Sequence, residues 1–292
     1  MDILSMTLFR DWMIFYQAGR AIRAGLSPYQ VEGFFNPIQV AWLFSWTTWL
    51  PFQVWVYGMI GLSFILLVVL LKKQAHWALL SLPFIFGMSM GSLDVLLWVP
   101  ARLLGGWGLS LLTLKPQLAL LIAPLQLSAW WRSGQRKEIE RFFIATLILW
   151  AIPTLLQPAW LPAWLRAVFT ADQSVRIHWA ASLAGFSALT GYESLYIALF
   201  FLVLLVFTLR GDDRYYLVAM FSPFFWPSDW ILAAEYISWR FTLLSWLLVP
   251  TGLSPNGAQL YFLLGLLIAW EQHRRQKESP VPGIGSFQNP QD

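Results

Sequence analysis

An uncharged and mostly apolar run extends from Gln53 to Leu71 and ends at a pair of lysines. About twenty apolar residues in a helix span a bilayer, where every backbone polar group must be hydrogen-bonded within the protein. The runs 142–157 and 195–209 have the same character. Charged residues make up 12% of the chain, against about 25% in soluble domains. The sequence therefore predicts an all-α, polytopic integral membrane protein.

The remaining apolar stretches are short or are interrupted by proline, glycine or a charged residue. They are 38–50, 77–99, 105–131, 215–226, 231–236, 241–249 and 258–270. The short pieces after residue 214 could make two or three crossings between them, so we expect about eight membrane helices in all. We expect a single transmembrane domain over residues 1–272. The tail, residues 273–292, is rich in Pro, Gly, Ser and Gln, and is expected to be disordered.

Basic residues form four groups along the chain, at 72–73, 132–141, 210–214 and 273–277. The positive-inside rule assigns such groups, and with them the tail, to the cytoplasm. Residues 1–36 and 158–192 are then expected on the outer face of the cell membrane, in contact with membrane lipids.

Composition also excludes several classes of site. The chain has no Cys, and its three His are far apart, without metal-ligand spacing. Many of the 19 Trp lie near segment ends, which is typical of interfacial belts and not of a nucleic-acid stacking surface. There is no glycine-rich nucleotide loop. We expect no metal, no cofactor and no nucleic-acid partner.

Residues 10–25 predict a helix lying at the membrane surface, because Asp11 and three arginines are combined with aromatic and small residues. Asp11 alone would be an ordinary helix N-terminal acid, favoured by the helix dipole. Arg20 and Arg23 lie three residues apart on one face. They either hold a phosphate or extend to lipid head groups.

Two ionisable residues, Asp94 and Lys115, fall inside apolar stretches, where a charge costs about 2.5 to 3.5 kcal/mol on insertion scales. Pro116 breaks the helical hydrogen-bond ladder beside Lys115, and Gln117 adds an amide. A freed carbonyl, an ammonium and an amide would face one polar cavity suited to a phosphate. The alternative is a salt bridge, from Asp94 to Lys115 or to Arg102, that only steadies helix packing.

Residues between positions 11 and 37 also carry a resemblance to a known family. They are Asp11, Phe15-Tyr16, Ala18, Arg20-Ala21, Ala24-Gly25, Pro28-Tyr29 and Asn36-Pro37. They resemble the first extracytoplasmic loop of family 87 glycosyltransferases, multi-spanning enzymes of the GT-C superfamily. The resemblance implies that Asp11 is the general base on the acceptor hydroxyl. It also implies substrate contacts for Tyr16, Arg20, Tyr29 and Asn36.

Three later stretches are similar to motifs of the same family. Lys115-Pro116-Gln117 resembles its lysine-proline-glutamine stretch, and 222–230 its serine-proline-x-x-tryptophan stretch, although a proline-broken interfacial bend has the same composition. Gly91 to Asp94 resembles a glycine-glutamine-x-asparagine stretch, with Ser92 for Gln and Asp94 for Asn. Family members carry a full membrane helix before the loop acid, so this chain is expected to be a relative shortened at both ends.

The resemblance implies an inverting transfer of a sugar, with mannose the expected one, from a polyprenyl-phosphate donor to a lipid or glycan acceptor at the outer face. Lys115, Gln117 and Asp94 would contribute to substrate binding. Two other classes remain open. A non-catalytic membrane subunit would keep the fold while losing substrate contacts. A transporter or lipid-handling protein would also need broken helices and intramembrane charges, but usually shows internal repeats, which this sequence lacks.

Overall fold

The computed structural model describes residues 8–72, 75–170, 180–211, 214–223, 227–248 and 258–278, which form helices, turns and bends with no strand among them. The α-helices are α1 (Arg10–Arg23), α2 (Ile38–Ser45), α3 (Phe52–Leu71), α4 (Ala75–Leu80), α5 (Leu82–Met90), α6 (Asp94–Leu103), α7 (Gly105–Leu111), α8 (Pro116–Arg132), α9 (Arg136–Leu156), α10 (Trp160–Thr170), α11 (Ser187–Thr190), α12 (Glu193–Arg210), α13 (Tyr215–Ala219), α14 (Trp239–Leu247) and α15 (Phe262–Glu278). Short 3₁₀ helices occupy Pro28–Gln30, Leu112–Leu114, Leu183–Phe186, Pro227–Tyr236 and Ala258–Tyr261.

Three of these helices, α3, α9 and α12, are long and apolar enough to cross a membrane. A fourth crossing is counted if α5 and α6 together make one broken span. The prediction of about eight is therefore not confirmed by the part of the chain that the structure describes. The reason is that the apolar stretches around residues 77–99 and 105–131 are divided into shorter helices.

Glycine and proline account for these divisions. Between α5 and α6 the chain bends by 119°, and Gly91 at the bend adopts a φ of +109°, a value that L side chains rarely adopt. This confirms the predicted break in residues 77–99. Pro116 starts α8, where its missing N–H costs nothing, directly after the 3₁₀ helix Leu112–Leu114. Lys115 is thus held at the junction of two helices.

Helix α1 lies against α2, α3 and α5 with one face buried. Trp12 is fully buried, and its indole N–H donates to the Met88 carbonyl at 2.9 Å. Its ring meets the ring of Trp55 edge-on, at the start of α3, with 5.8 Å between centroids. The opposite face of α1 is exposed, as the predicted surface helix requires.

Several tryptophans belong to the core and not to an interfacial belt. Trp230, expected at a segment end facing the head groups, is fully buried, and its indole N–H donates to the Ala181 carbonyl at 3.2 Å. Trp49 and Trp131 are exposed. The tail begins differently from expectation, because α15 continues through residues 273–278. Residues 279–292 lie outside the described part of the chain.

Candidate functional site

The start of α1 is docked on the bend between α5 and α6. The Phe9 N–H donates to the Ser89 carbonyl at 2.7 Å, next to the hydrogen bond from Trp12. Gly91 permits this approach, because a Cβ at that position would lie 2.3 Å from the Trp12 nitrogen and 3.0 Å from the Cβ of Asp11. Asp11 is therefore fixed against the turn that leads to Asp94.

Three ionisable side chains from three separate segments meet beside this turn. The Lys115 ammonium donates to one carboxylate oxygen of Asp94 and, at 2.8 Å, to Asp229. Asp94 and Asp229 are almost completely buried, whereas the Lys115 side chain keeps 16% of its exposure. The Ser92 hydroxyl donates to the second oxygen of Asp94. We call Asp94, Lys115 and Asp229 the acid–lysine cluster.

The acid–lysine cluster is assembled by irregular backbone. Asp94 begins α6 directly after the bend, Lys115 precedes α8, and Asp229 lies in the 3₁₀ helix Pro227–Tyr236, which packs on α5. Gly87 of α5 brings the two elements together, since a Cβ there would lie 3.3 Å from the Cβ of Ser228. Breaks in helices thus bring ionisable side chains to one place, as broken helices do in the polar cavities of membrane proteins.

Asp11 is half-buried and lies within electrostatic range of the acid–lysine cluster. Burial raises the pKa of Asp11 to about 6, and the Asp94 carboxylate adds to this rise. Arg10 and Lys115 act in the opposite direction. A carboxylate with a pKa near 6 is mostly ionised at neutral pH and is a stronger base than a free aspartate. Partial exposure leaves it open to a proton donor.

The sequence-predicted residues therefore divide into two groups. Asp11, Asp94 and Lys115 come together, and half-buried Gln117 lies in the first turn of α8, two residues beyond Lys115. Of the two salt bridges considered for Asp94, the one to Lys115 is present. The Lys115 ammonium, expected to face a phosphate, is bound by two carboxylates.

The other predicted residues serve the packing of the first loop or lie on its surface. The Tyr16 hydroxyl donates to the Leu50 carbonyl at 2.7 Å, and Tyr29 donates to the Asn36 carbonyl at 3.4 Å. Arg20 is exposed on α1, about 14 Å along the helix axis from Asp11 at 1.5 Å per residue. These contacts hold the loop in shape and do not bring the residues to Asp11.

Arg102, the other partner considered for Asp94, forms a two-point ion pair with Glu235, with N–O distances of 2.5 and 2.8 Å. The Glu235 side chain is only 24% exposed. The guanidinium also lies over the Trp98 ring. This pair joins α6 to the 3₁₀ helix that carries Asp229.

Two residues of the site were not among the sequence-based candidates. Asp229 is the only acid in the stretch 222–230, between Pro227 and fully buried Trp230, and an acid in an apolar segment is itself a signal. Arg10 immediately precedes Asp11 and is exposed. Among the described residues, no group of three His, Cys, Asp or Glu side chains is arranged to hold a metal ion.

Comparison of the chain with protein-family models, with curated proteins and with solved structures finds no match. The resemblance to family 87 glycosyltransferases is therefore carried by the residues of this chain alone.

Proposed function

We propose that the protein is a membrane glycosyltransferase that moves a sugar, mannose being the expected one, from a polyprenyl-phosphate donor to a lipid or glycan acceptor. The observation that carries the proposal is the position of Asp11. The carboxylate is half-buried, has a raised pKa, and is fixed against a turn that leads to the acid–lysine cluster. Strongly perturbed acids beside a polar cluster are typical of catalytic sites.

The outward faces of the long helices support a membrane location. Large apolar side chains on α9 and α12 are widely exposed, including Leu147 at 69%, Leu155 at 80% and Leu209 at 63%. Contiguous apolar surface on this scale is unfavourable in water and is favoured in lipid.

Contacts at opposite ends of α9 support the proposed topology. Near its start, the Arg132 guanidinium donates to the Leu209 carbonyl, so two of the basic groups lie at the same end of the molecule. Beyond its other end, Trp164 of α10 donates to the Phe35 carbonyl at 2.8 Å, so residues 158–170 contact the first loop. This separation matches cytoplasmic basic loops and an outer face formed by the first loop and α10.

The proposed chemistry is a single displacement. Asp11 takes the proton from the acceptor hydroxyl as the acceptor oxygen attacks the anomeric carbon. The new C–O bond forms while the bond from the anomeric carbon to the phosphate oxygen breaks. Polyprenyl phosphate leaves with the electron pair, and the anomeric configuration is inverted. Lys115 holds Asp94 and Asp229 together, which keeps the turn against Asp11 in one arrangement.

A second candidate is a non-catalytic membrane subunit. The pairing of Lys115 with two carboxylates favours it, because an ammonium already bound on two sides is less available to a substrate. In that case the acid–lysine cluster would only join α6, α8 and the 3₁₀ helix Pro227–Tyr236.

Sugar transfer in membranes that contain the protein separates the two candidates. The assay uses radiolabelled polyprenyl-phosphate mannose and compares the native chain with Asp11→Asn, with Asp2→Asn as the matched control. We expect transfer by the native chain and the control, and a loss of at least about a hundredfold in Asp11→Asn, the scale of general-base catalysis. Absence of transfer by the folded native chain, with several polyprenyl-phosphate sugars, would favour the subunit.

A further inference from the structure

The charges around Asp11 are unfavourable for a phosphate. Lys115 is the one cation of the acid–lysine cluster and is bound by two carboxyl groups, so the cluster has no net positive charge to offer. Asp11 adds a negative charge when it acts as a base. The lipid-linked donor carries a negatively charged phosphate diester beside the anomeric carbon. Like charges this close repel strongly in a poorly solvated site. A donor phosphate therefore needs a cation other than Lys115.

Arg10 has the position and the chemistry for this role. It is the first residue of α1, adjacent to the base, and its side chain is exposed. A guanidinium is always charged and presents a planar fork of N–H donors that matches two phosphate oxygens. Its charge already acts on the Asp11 carboxylate, which shows that the two groups are near each other.

The other arginines of α1 are too distant to share a phosphate with Asp11. Arg20 and Arg23 belong to the last turn of the helix. At 1.5 Å per residue they lie about 14 and 18 Å from Asp11 along the axis. The phosphate must stay within a few ångströms of the carbon attacked by the acceptor, since it is bonded to that carbon through one oxygen.

We infer that Arg10 binds the phosphate of the lipid-linked donor, and that Lys115 is a positioning residue for Asp94 and Asp229 instead of a phosphate ligand. The inference rests on the proposed function and names the donor contact within it. After the C–O bond breaks, the departing phosphate gains a second negative charge. Arg10 then stabilises this charge as it develops, which assists departure as well as binding.

Binding of a short-chain polyprenyl phosphate to the full-length protein in detergent tests the inference without sugar transfer. We expect Arg10→Gln to weaken binding by about 10- to 100-fold, the scale of charge-assisted hydrogen bonds, and Arg10→Lys to weaken it less. Arg166→Gln is the matched control, because Arg166 is an exposed arginine of α10, and it should bind as the native chain does. Thermal melting of each variant verifies that it is folded.

Native-like binding by folded Arg10→Gln would overturn the inference. So would a loss of binding confined to Arg20→Gln, since the phosphate would then lie at the far end of α1. If Asp11→Asn abolishes transfer while Arg10→Gln binds normally, the inference fails and the glycosyltransferase stands. If the native chain binds no polyprenyl phosphate and transfers no sugar, both fail together.

Discussion

Asp11 illustrates how one side chain acquires a base strength suited to neutral pH. Its half-buried position disfavours the ionised form, and Asp94 disfavours it further, whereas Arg10 and Lys115 favour it. Burial is the largest of these effects, which is why the pKa lies near 6 and not below 4. The position of the acid against Gly91 produces this burial.

The proposed role of Asp11 predicts a pH profile. The carboxylate must be ionised to accept a proton, so transfer should be constant above about pH 7 and fall about tenfold per pH unit well below pH 6. Because the charge of Arg10 lowers the pKa of Asp11, the acid limb of Arg10→Gln should move to higher pH. Initial rates at donor concentrations well below saturation report the protein without bound donor, and their dependence on pH checks both statements. An unshifted limb would argue against proximity of the two groups.

The raised pKa of Asp11 also predicts that Asp11→Asn increases stability, although the same substitution removes activity. The folded-state pKa of Asp11 lies above its ordinary value of 3.8, so the ionised carboxylate opposes folding at pH values above 6. Asp11→Asn should therefore raise the thermal midpoint in detergent at neutral pH while it abolishes transfer. The gain should shrink as the pH falls below 6 and vanish below about pH 3, where the carboxyl is neutral in both states. A lower midpoint at neutral pH would contradict this assignment.

A side chain at Gly91 should clash with the start of α1, and a control substitution at another glycine separates this clash from backbone strain. Gly91→Ala forces a Cβ to 2.3 Å from the Trp12 nitrogen in a backbone with φ of +109°, so the start of α1 must move. Gly25→Ala is the control, because Gly25 also has a positive φ, +73°, but has open space around it. The control should lose about 1–2 kcal/mol from backbone strain alone. Gly91→Ala should lose more and also lose transfer, as thermal melting and activity assays would show.

Long uninterrupted helices were the part of the fold that pattern alone could predict. The run 53–71 corresponds to Phe52–Leu71, and 195–209 to Glu193–Arg210. The run 142–157 falls almost entirely within α9, which begins earlier, at Arg136, inside the basic group 132–141. Helical backbone continues through charged residues where they reach solvent at the end of an apolar segment.

The apolar segments that are divided into short helices were harder to predict, since their shape depends on tertiary contacts. Asp229 comes near Lys115 only because the 3₁₀ helix Pro227–Tyr236 packs on α5 across Gly87. Pairing between residues 114 positions apart leaves no periodic signal in one sequence. Only part of the candidate site was therefore predictable from the sequence. Asp94 and Lys115 stand out as charges in apolar stretches, whereas the contact with Asp229 depends on packing.

The acid–lysine cluster joins three elements, and the stability lost by removing its lysine should be recovered by neutralising its two acids. Lys115→Met leaves two buried carboxylates without their cation and should destabilise the protein by about 3–5 kcal/mol. Adding Asp94→Asn and Asp229→Asn should recover most of this loss. Arg141→Met, which breaks the exposed pair with Glu138, should cost less than about 1 kcal/mol. Thermal midpoints in detergent compare the variants. Failure of the carboxamides to restore stability would mean that Lys115 acts through packing alone.

For the whole molecule, contacts in two separate regions show which helix ends lie on the same side. α8 and α12 meet at their last residues, where Ser128 donates to the Thr208 carbonyl next to the contact between Arg132 and Leu209. α10 meets the first loop through Trp164. α9 joins the two regions and, with 21 residues, spans about 31 Å at 1.5 Å per residue, close to the thickness of a bilayer core.

The absence of cysteine from the chain makes this two-sided arrangement directly testable, since one introduced thiol reports one position. Exposed residues are available on both sides: Gln30 and Thr170 on the first-loop side, Ser133 and Lys137 on the basic side. In intact cells, a membrane-impermeant thiol reagent should label Gln30→Cys and Thr170→Cys. The other two variants should react only after permeabilisation, because the basic loops face the cytoplasm in the proposed topology. Labelling of Ser133→Cys in intact cells would reverse the orientation and put Asp11 on the cytoplasmic side, where an outer-face acceptor would be out of reach.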